Sequence, residues 1–242
     1  MIPLRDVNPS HSFPLITILI IIVNAIVFLY EVSLGQYLPE FLDTYALIPV
    51  QYFYMGDLGG LSAIVRYFPF LTSQFLHGGW LHFIGNMWFL WIFGDNVEDR
   101  LGHFKFLIFY LLCGVIAGLA HVYTNPHSSL PTVGASGAIA GVMGAYTISF
   151  PRARVITLFI FFFFIRFIEL PAVVFLGVWF LFQFFSGTAA LSAAESAGGV
   201  AWWAHIGGFL AGIVLVLFIP KRKNWPRRRF SSFYDENYFD SL

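Results

Sequence analysis

Apolar residues gather into six runs along the chain: Pro14–Tyr30, Trp80–Phe93, Phe106–Tyr123, Ser136–Phe150, Leu170–Phe185 and Val200–Ile219. Each is too long for a strand and carries little charge, so each reads as a membrane helix. Several fall short of the roughly 20 residues that span a bilayer. A short helix must thin the membrane or end in a protein-lined space. Backbone that ends at membrane depth is tolerated only where it lines a wet cavity or is buried in protein. The pattern therefore predicts an all-α membrane protein, a bundle of six transmembrane helices around a cavity. Two stretches fit this drawing poorly. The run "VITLFIFFFFIRFI" (155–168) is too short to cross and return, and reads as interfacial or re-entrant, with Arg166 and Glu169 close enough to pair. The 49-residue connection Glu31–Gly79 is too long for a bare loop. Its aromatic clusters predict a long first outer loop partly embedded in the membrane.

Composition agrees with the pattern. The chain is 58% hydrophobic and 11% charged, where a soluble domain carries about 25% charged residues. Formal net charge is zero, so no bulk acidic or basic partner is implied, nucleic acid included. The single Cys113 rules out a disulfide framework. The first run has no basic segment before it and no small-residue cleavage site after it, so it is kept as a helix. Charge then orients the bundle. Twelve of the 13 Lys and Arg residues fall on the side of the two termini, and Arg66 alone on the other. By the positive-inside rule both termini are expected in the cytoplasm, in a multi-pass, bacterial cell inner membrane. Residues 1–13 then form a cytoplasmic N-terminus and 14–220 the six-helix domain. Residues 221–242 form a tail, basic and then polar, whose "KRKNWPRRR" reads as a membrane-surface anchor.

Polar residues inside a membrane are costly, so each one asks for an explanation. They are Asn24, His82, Asn86, Ser136, Gln183 and His205. Asn24 and Gln183 stand alone, and hydrogen bonding between helices accounts for them. His82 and Asn86 are four apart and share one face of the second helix. Ser136 taken alone reads as a packing residue. With Ala140 and Gly144 it makes a smooth stripe, as do Ala204, Gly208 and Gly212, and such stripes let helices approach closely. Gly134, Gly137 and Gly141 add small residues to the fourth helix.

Depth changes that reading. Ser136 lies 15 residues before Pro151, His205 15 before Pro220, and His82 13 before Asp95. At 1.5 Å per residue all three stand about 20–23 Å above the inner face. A hydroxyl becomes a nucleophile when a base takes its proton, and a histidine is a suitable base at neutral pH. No Asp or Glu is within reach to complete a triad, so the pair is a dyad at most. His82, Asn86 and the Ser136 amide at a helix N-terminus supply N–H donors for an oxyanion. Together these parts match acyl transfer. No HExxH, P-loop or GxGxxG occurs, and His77 and His82 are poorly spaced for a metal, so neither metal nor cofactor is expected.

The motifs "GASGAIAG" (134–141), "HFIGN" (82–86) and "AHIGGFLAG" (204–212) resemble, in order and spacing, those of the rhomboid intramembrane serine proteases. The resemblance covers the six-helix core. It implies a serine endopeptidase with Ser136 as nucleophile, His205 as general base, and His82, Asn86 and the Ser136 backbone as the oxyanion site. It implies transmembrane protein segments as substrates, and a fifth helix that acts as a lateral gate. It also admits a catalytically silent rhomboid-like protein that binds transmembrane helices, although such proteins typically lack the Ser or the His. Two positions depart from the family. Phe68-Pro69 stands where many relatives carry Trp-Arg. Ala140 stands where some carry an aromatic packed on the histidine, so Trp202 or Trp203 is expected to hold the imidazole. The connection "SGTAALSAAESAGG" (186–199) over the site reads equally as a lid and as an ordinary loop.

Overall fold

The computed structural model describes residues 1–53, 66–161, 163–192 and 201–222. The chain is mostly helical. In order its helices are α1 (Leu15–Leu34), α2 (Leu38–Tyr45), α3 (Val50–Phe53), α4 (Pro69–Thr72), α5 (Trp80–Leu101), α6 (His103–Thr124), α7 (Ser136–Ser149), α8 (Ala172–Ser192) and α9 (Trp202–Phe218). A helix thus occupies each of the six apolar runs. Three are long and apolar enough to cross a membrane: α1 with the helical turns that follow it to Tyr45, α6, and α8. Helix α7 has 14 residues and α9 has 17.

Helix α5 does not stop at Asp95, where the sequence suggests its end, but runs on to Leu101. Two acids of its last turns, Glu98 and Asp99, are buried with partners. Glu98 is 1% exposed. Its carboxylate accepts from the Ile16 and Thr17 amides at 2.8 Å and from the Thr17 hydroxyl at 2.7 Å. It thereby caps α1, whose own N-cap residue Pro14 offers no side-chain bond. Asp99 accepts from the Ser12 hydroxyl at 2.6 Å and pairs with Arg222 at 3.0 Å. Arg222, the second residue of the expected membrane-surface anchor, is thus tied to α5. The tail from residue 223 onward lies outside the described residues.

The all-α expectation is corrected at 155–168. This stretch belongs to a hairpin of β2 (Arg154–Phe161) and β3 (Phe164–Pro171), and β1 (Ile2–Asp6) pairs with β2 to give the order β1-β2-β3. The segment is rich in β-branched and aromatic residues, which suit a pleated surface. Pairing also satisfies a backbone too short to cross and return. Glu169 pairs with Arg154 on β2 at 3.5 Å. Residues three apart on a strand project to opposite faces, which separates Glu169 from Arg166.

The described part of the long first connection carries the short helices α2, α3 and α4. Leu47 and Thr132 exchange backbone hydrogen bonds of 3.0 and 2.8 Å. Leu47 and Phe70 pack with Val122 of α6. The sequence "SGTAALSAAESAGG" begins as helix, since α8 continues to Ser192, and its later part lies outside the described residues.

Helix α7 sits at the centre. Ala138, Ile139, Ala140, Val142, Ala145 and Tyr146 are each at most 2% exposed. Against α9 its backbone is in direct contact. A Cβ at Gly208 would collide with the Gly137 carbonyl oxygen, and one at Gly212 with the Gly141 carbonyl oxygen. A Cβ at Gly144 would collide with the Phe209 carbonyl oxygen. The contacting residues on α7 are therefore Gly137, Gly141 and Gly144: Gly144 belongs to the expected stripe, and Gly137 and Gly141 are the small residues expected to pack beside it. Gly134 takes no part in this helix contact.

Candidate active site

The chain reaches α7 through Gly134, at φ 131, a conformation that glycine tolerates and L side chains rarely adopt. Its amide donates to the Ser73 carbonyl at 2.9 Å. A Cβ here would lie 2.7 Å from His82 Nε2 and 3.5 Å from Ser136 Oγ. The missing side chain thus leaves space for an imidazole beside the serine, a different use from the helix packing expected of it. The helix opens with Ser136 at its first position, so the Ser136 amide has no intrahelical acceptor.

Close packing of α7 on α9 brings Ser136 to His205. His205 Nε2 lies 2.7 Å from Ser136 Oγ, across 69 positions of sequence. His205 is 8% exposed. Its other nitrogen, Nδ1, lies 2.7 Å from Oε1 of Gln183 on α8. The Trp179 ring stands 5.9 Å from the imidazole and the Trp202 ring 6.4 Å, edge on. Ala140 is fully buried, and contacts from α8 and α9 frame the imidazole.

His82 and Asn86 lie on α5. The Gly78 amide donates to His82 Nδ1 at 3.4 Å, which leaves the ring proton on Nε2, the nitrogen beside Gly134. Asn86 is buried, and among the described residues its Nδ2 meets no acceptor. An orphaned buried donor costs about 1–3 kcal/mol, so the site holds a hydrogen-bond donor in reserve. The loop ahead of α5 is fixed by Glu31 of α1, whose carboxylate accepts from the His77 amide at 3.0 Å. Burial, with His82 beside it, pushes the His77 imidazole down to about 4, so no positive charge sits against His82. A cleft lined by Ser73, Gln74, Gly114, Ala117 and Gly134 opens beside Ser136.

Five of the residues singled out in the sequence thus converge: Gly134, Ser136, His205 and His82 in mutual proximity, and Asn86 one turn along α5. One residue of the site was set aside. Gln183 read as an isolated amide bonding between helices. It does bond between helices, but its acceptor oxygen faces the imidazole that meets Ser136. A lone amide in an aromatic run was the available signal, and Gln183 lies 11 residues into α8, roughly 17 Å along it. Asn24, by contrast, donates to the Ile20 carbonyl of its own helix at 2.7 Å.

The Rhomboid domain family matches residues 65–222. The chain is 32% identical over 162 residues to the presenilin-associated rhomboid-like protein, mitochondrial, of Homo sapiens, covering 62% of this chain and 37% of that protein. It is 33% identical over 119 residues to rhomboid-like protein 11, chloroplastic, of Arabidopsis thaliana, covering 49% and 40%. It is 29% identical over 163 residues to rhomboid protein 1, mitochondrial, of Saccharomyces cerevisiae, covering 66% and 44%. The chain therefore spans less than half the length of these curated relatives. Two of these relatives are named mitochondrial and one chloroplastic, which overturns the expected bacterial inner membrane with cytoplasmic termini. Charge distribution distinguishes two sides of a membrane but does not identify the membrane.

Proposed function

The chain belongs to the rhomboid family, and from that premise we propose that it is an intramembrane serine endopeptidase cutting transmembrane segments of other membrane proteins. In this reading α1, α5, α6, α7, α8 and α9 are six spans, and the first connection lies partly in the membrane. The observation that carries the proposal is the 2.7 Å contact between Ser136 Oγ and His205 Nε2. That distance is within reach of proton transfer.

The chemistry follows from the geometry. His205 Nε2 takes the Ser136 proton as Oγ attacks the scissile carbonyl. The oxyanion receives the Ser136 amide, His82 Nε2–H and Asn86 Nδ2–H. The peptide C–N bond breaks as Nε2 returns its proton to the leaving nitrogen. His205 Nε2 then takes a proton from water as its oxygen attacks the acyl carbon, the C–Oγ bond breaks, and Nε2 returns the proton to Ser136 Oγ. A silent protein that only binds transmembrane helices would need neither a base on its serine nor a reserved donor.

A fluorophosphonate probe applied to the detergent-purified full chain should label wild type and leave Ser136→Ala unlabelled. Equal labelling of the two would overturn the proposal. Asn86→Ala should lower kcat on a fluorogenic transmembrane peptide by about 10²-fold or more, with KM little changed. Wild-type turnover in that variant would remove Asn86 from the oxyanion site.

A further inference from the structure

We infer that Gln183 is the positioning residue of the dyad, holding His205 in the one tautomer that can accept a proton from Ser136. The inference rests on the hydrolytic reading above and adds a third member to a pair that the sequence presents as a dyad.

Two distances and one chemical constraint carry it. Gln183 Oε1 lies 2.7 Å from His205 Nδ1, and His205 Nε2 lies 2.7 Å from Ser136 Oγ. An amide oxygen has lone pairs and no proton, so Nδ1 must carry the hydrogen. A neutral imidazole has only one N–H, so Nε2 is left with its lone pair toward the serine hydroxyl. The opposite amide orientation would place N–H on Nδ1 and force the ring proton onto Nε2, where it blocks the base. Gln183 is 4% exposed and His205 8%, so water is a poor substitute for the amide.

An amide differs from a carboxylate here. It orients the ring and fixes its tautomer, yet it carries no charge to stabilise the imidazolium. A carboxylate this deep would itself have to be kept charged in a dry setting. Gln183 therefore gives the geometric part of a triad without a buried anion. Proton traffic is unchanged: Oγ–H passes to Nε2, Nδ1–H stays on the ring throughout, and Nε2–H goes to the leaving nitrogen.

The placement has a second consequence. Gln183 and Trp179 are four apart on α8 and share the face that meets His205. Neither belongs to the α7–α9 contact that brings serine and histidine together. The base is thus oriented by a helix separate from the two that carry the dyad. Any displacement of α8 from α9 breaks the bond on Nδ1 while Ser136 and His205 stay in contact.

The test uses the detergent-solubilised full chain with ¹⁵N-labelled histidine, the His205 signal being assigned by its loss in His205→Asn. Wild type should show Nδ1 protonated and Nε2 bare. Gln183→Leu, similar in size but without an acceptor, should lose that single tautomer. Its maximal rate of fluorophosphonate labelling should fall about 10- to 100-fold, a share of the roughly 10²–10⁴ that a general base supplies. The probe concentration at half-maximal rate should stay within about twofold, because the binding surface is untouched. A wild-type ring protonated on Nε2, or a Gln183→Leu protein with wild-type tautomer and rate, would overturn the inference. Absent labelling of wild type would sink the hydrolytic reading alone, since the nitrogen signals still report whether Gln183 sets the tautomer.

Discussion

Replacing His205 with alanine is expected to lower the rate of fluorophosphonate labelling at Ser136 by about 10²- to 10⁴-fold. The side chain is the only basic group shown against Ser136 Oγ among the described residues, at 2.7 Å. A serine hydroxyl without a base is almost wholly protonated and a poor nucleophile. No neighbour can take over. His82, the other imidazole near Ser136, accepts from the Gly78 amide through Nδ1 and so presents a protonated Nε2 toward Gly134. It can donate to an oxyanion but cannot take a proton there. Thermal unfolding of the variant should change little by comparison, because the α7–α9 contact is made by glycines and not by the imidazole. A labelling rate within tenfold of wild type would mean that some other group activates Ser136.

The second large effect is expected from Gly212→Ala, a change of one methyl group. Its Cβ would fall on the Gly141 carbonyl oxygen, and the backbone of a helix cannot turn aside as a side chain can. Helices α7 and α9 must separate or slide. Overpacking of this kind costs about 1–3 kcal/mol, and more where no side chain can yield. The same displacement moves His205 from Ser136, and a misplacement of about 1 Å can cost roughly 10²-fold in rate. Melting temperature and labelling rate should therefore fall together. Gly177→Ala on α8 is the control, since a Cβ there meets nothing within 4 Å. It should leave both quantities near wild type. A Gly212→Ala protein as stable and as reactive as that control would show that α7 and α9 do not need their glycine contact.

Much of the fold was legible because membrane helices announce themselves by apolar length. All six runs hold helices, and Ser136 begins one as read. Errors fell where partners distant in sequence decide the outcome. The last turns of α5 read as loop because Glu98 and Asp99 are charged. They are helical because Thr17, Ser12 and Arg222 come to meet them. Residues 155–168 read as a membrane-surface segment, and became a hairpin that β1 from the far N-terminus completes. Gly137, Gly141, Gly208 and Gly212 meet across α7 and α9, and of the stripe Ser136, Ala140 and Gly144 it is Gly144 that lies against the α9 backbone, since small residues occur on several faces of α7 and only α9 selects among them.

The candidate site divides in the same way. The sequence by itself determined which polar residues stand in apolar runs, and spacing along the chain led to the expectation that His82, Ser136 and His205 share a depth. Helical rise and hydrophobicity are local properties, so counting along the chain suffices for both. Only the tertiary structure decided which side chains meet. Rotation of α9 against α7 sets Nε2 on the serine. The missing side chain of Gly134 makes room for His82. The position of α8 turns Gln183 from a lone amide into the partner of His205 Nδ1. Depth is a single coordinate that the chain carries along its own length. Azimuth and tautomer are set by neighbours on other helices, and no count of residues contains them.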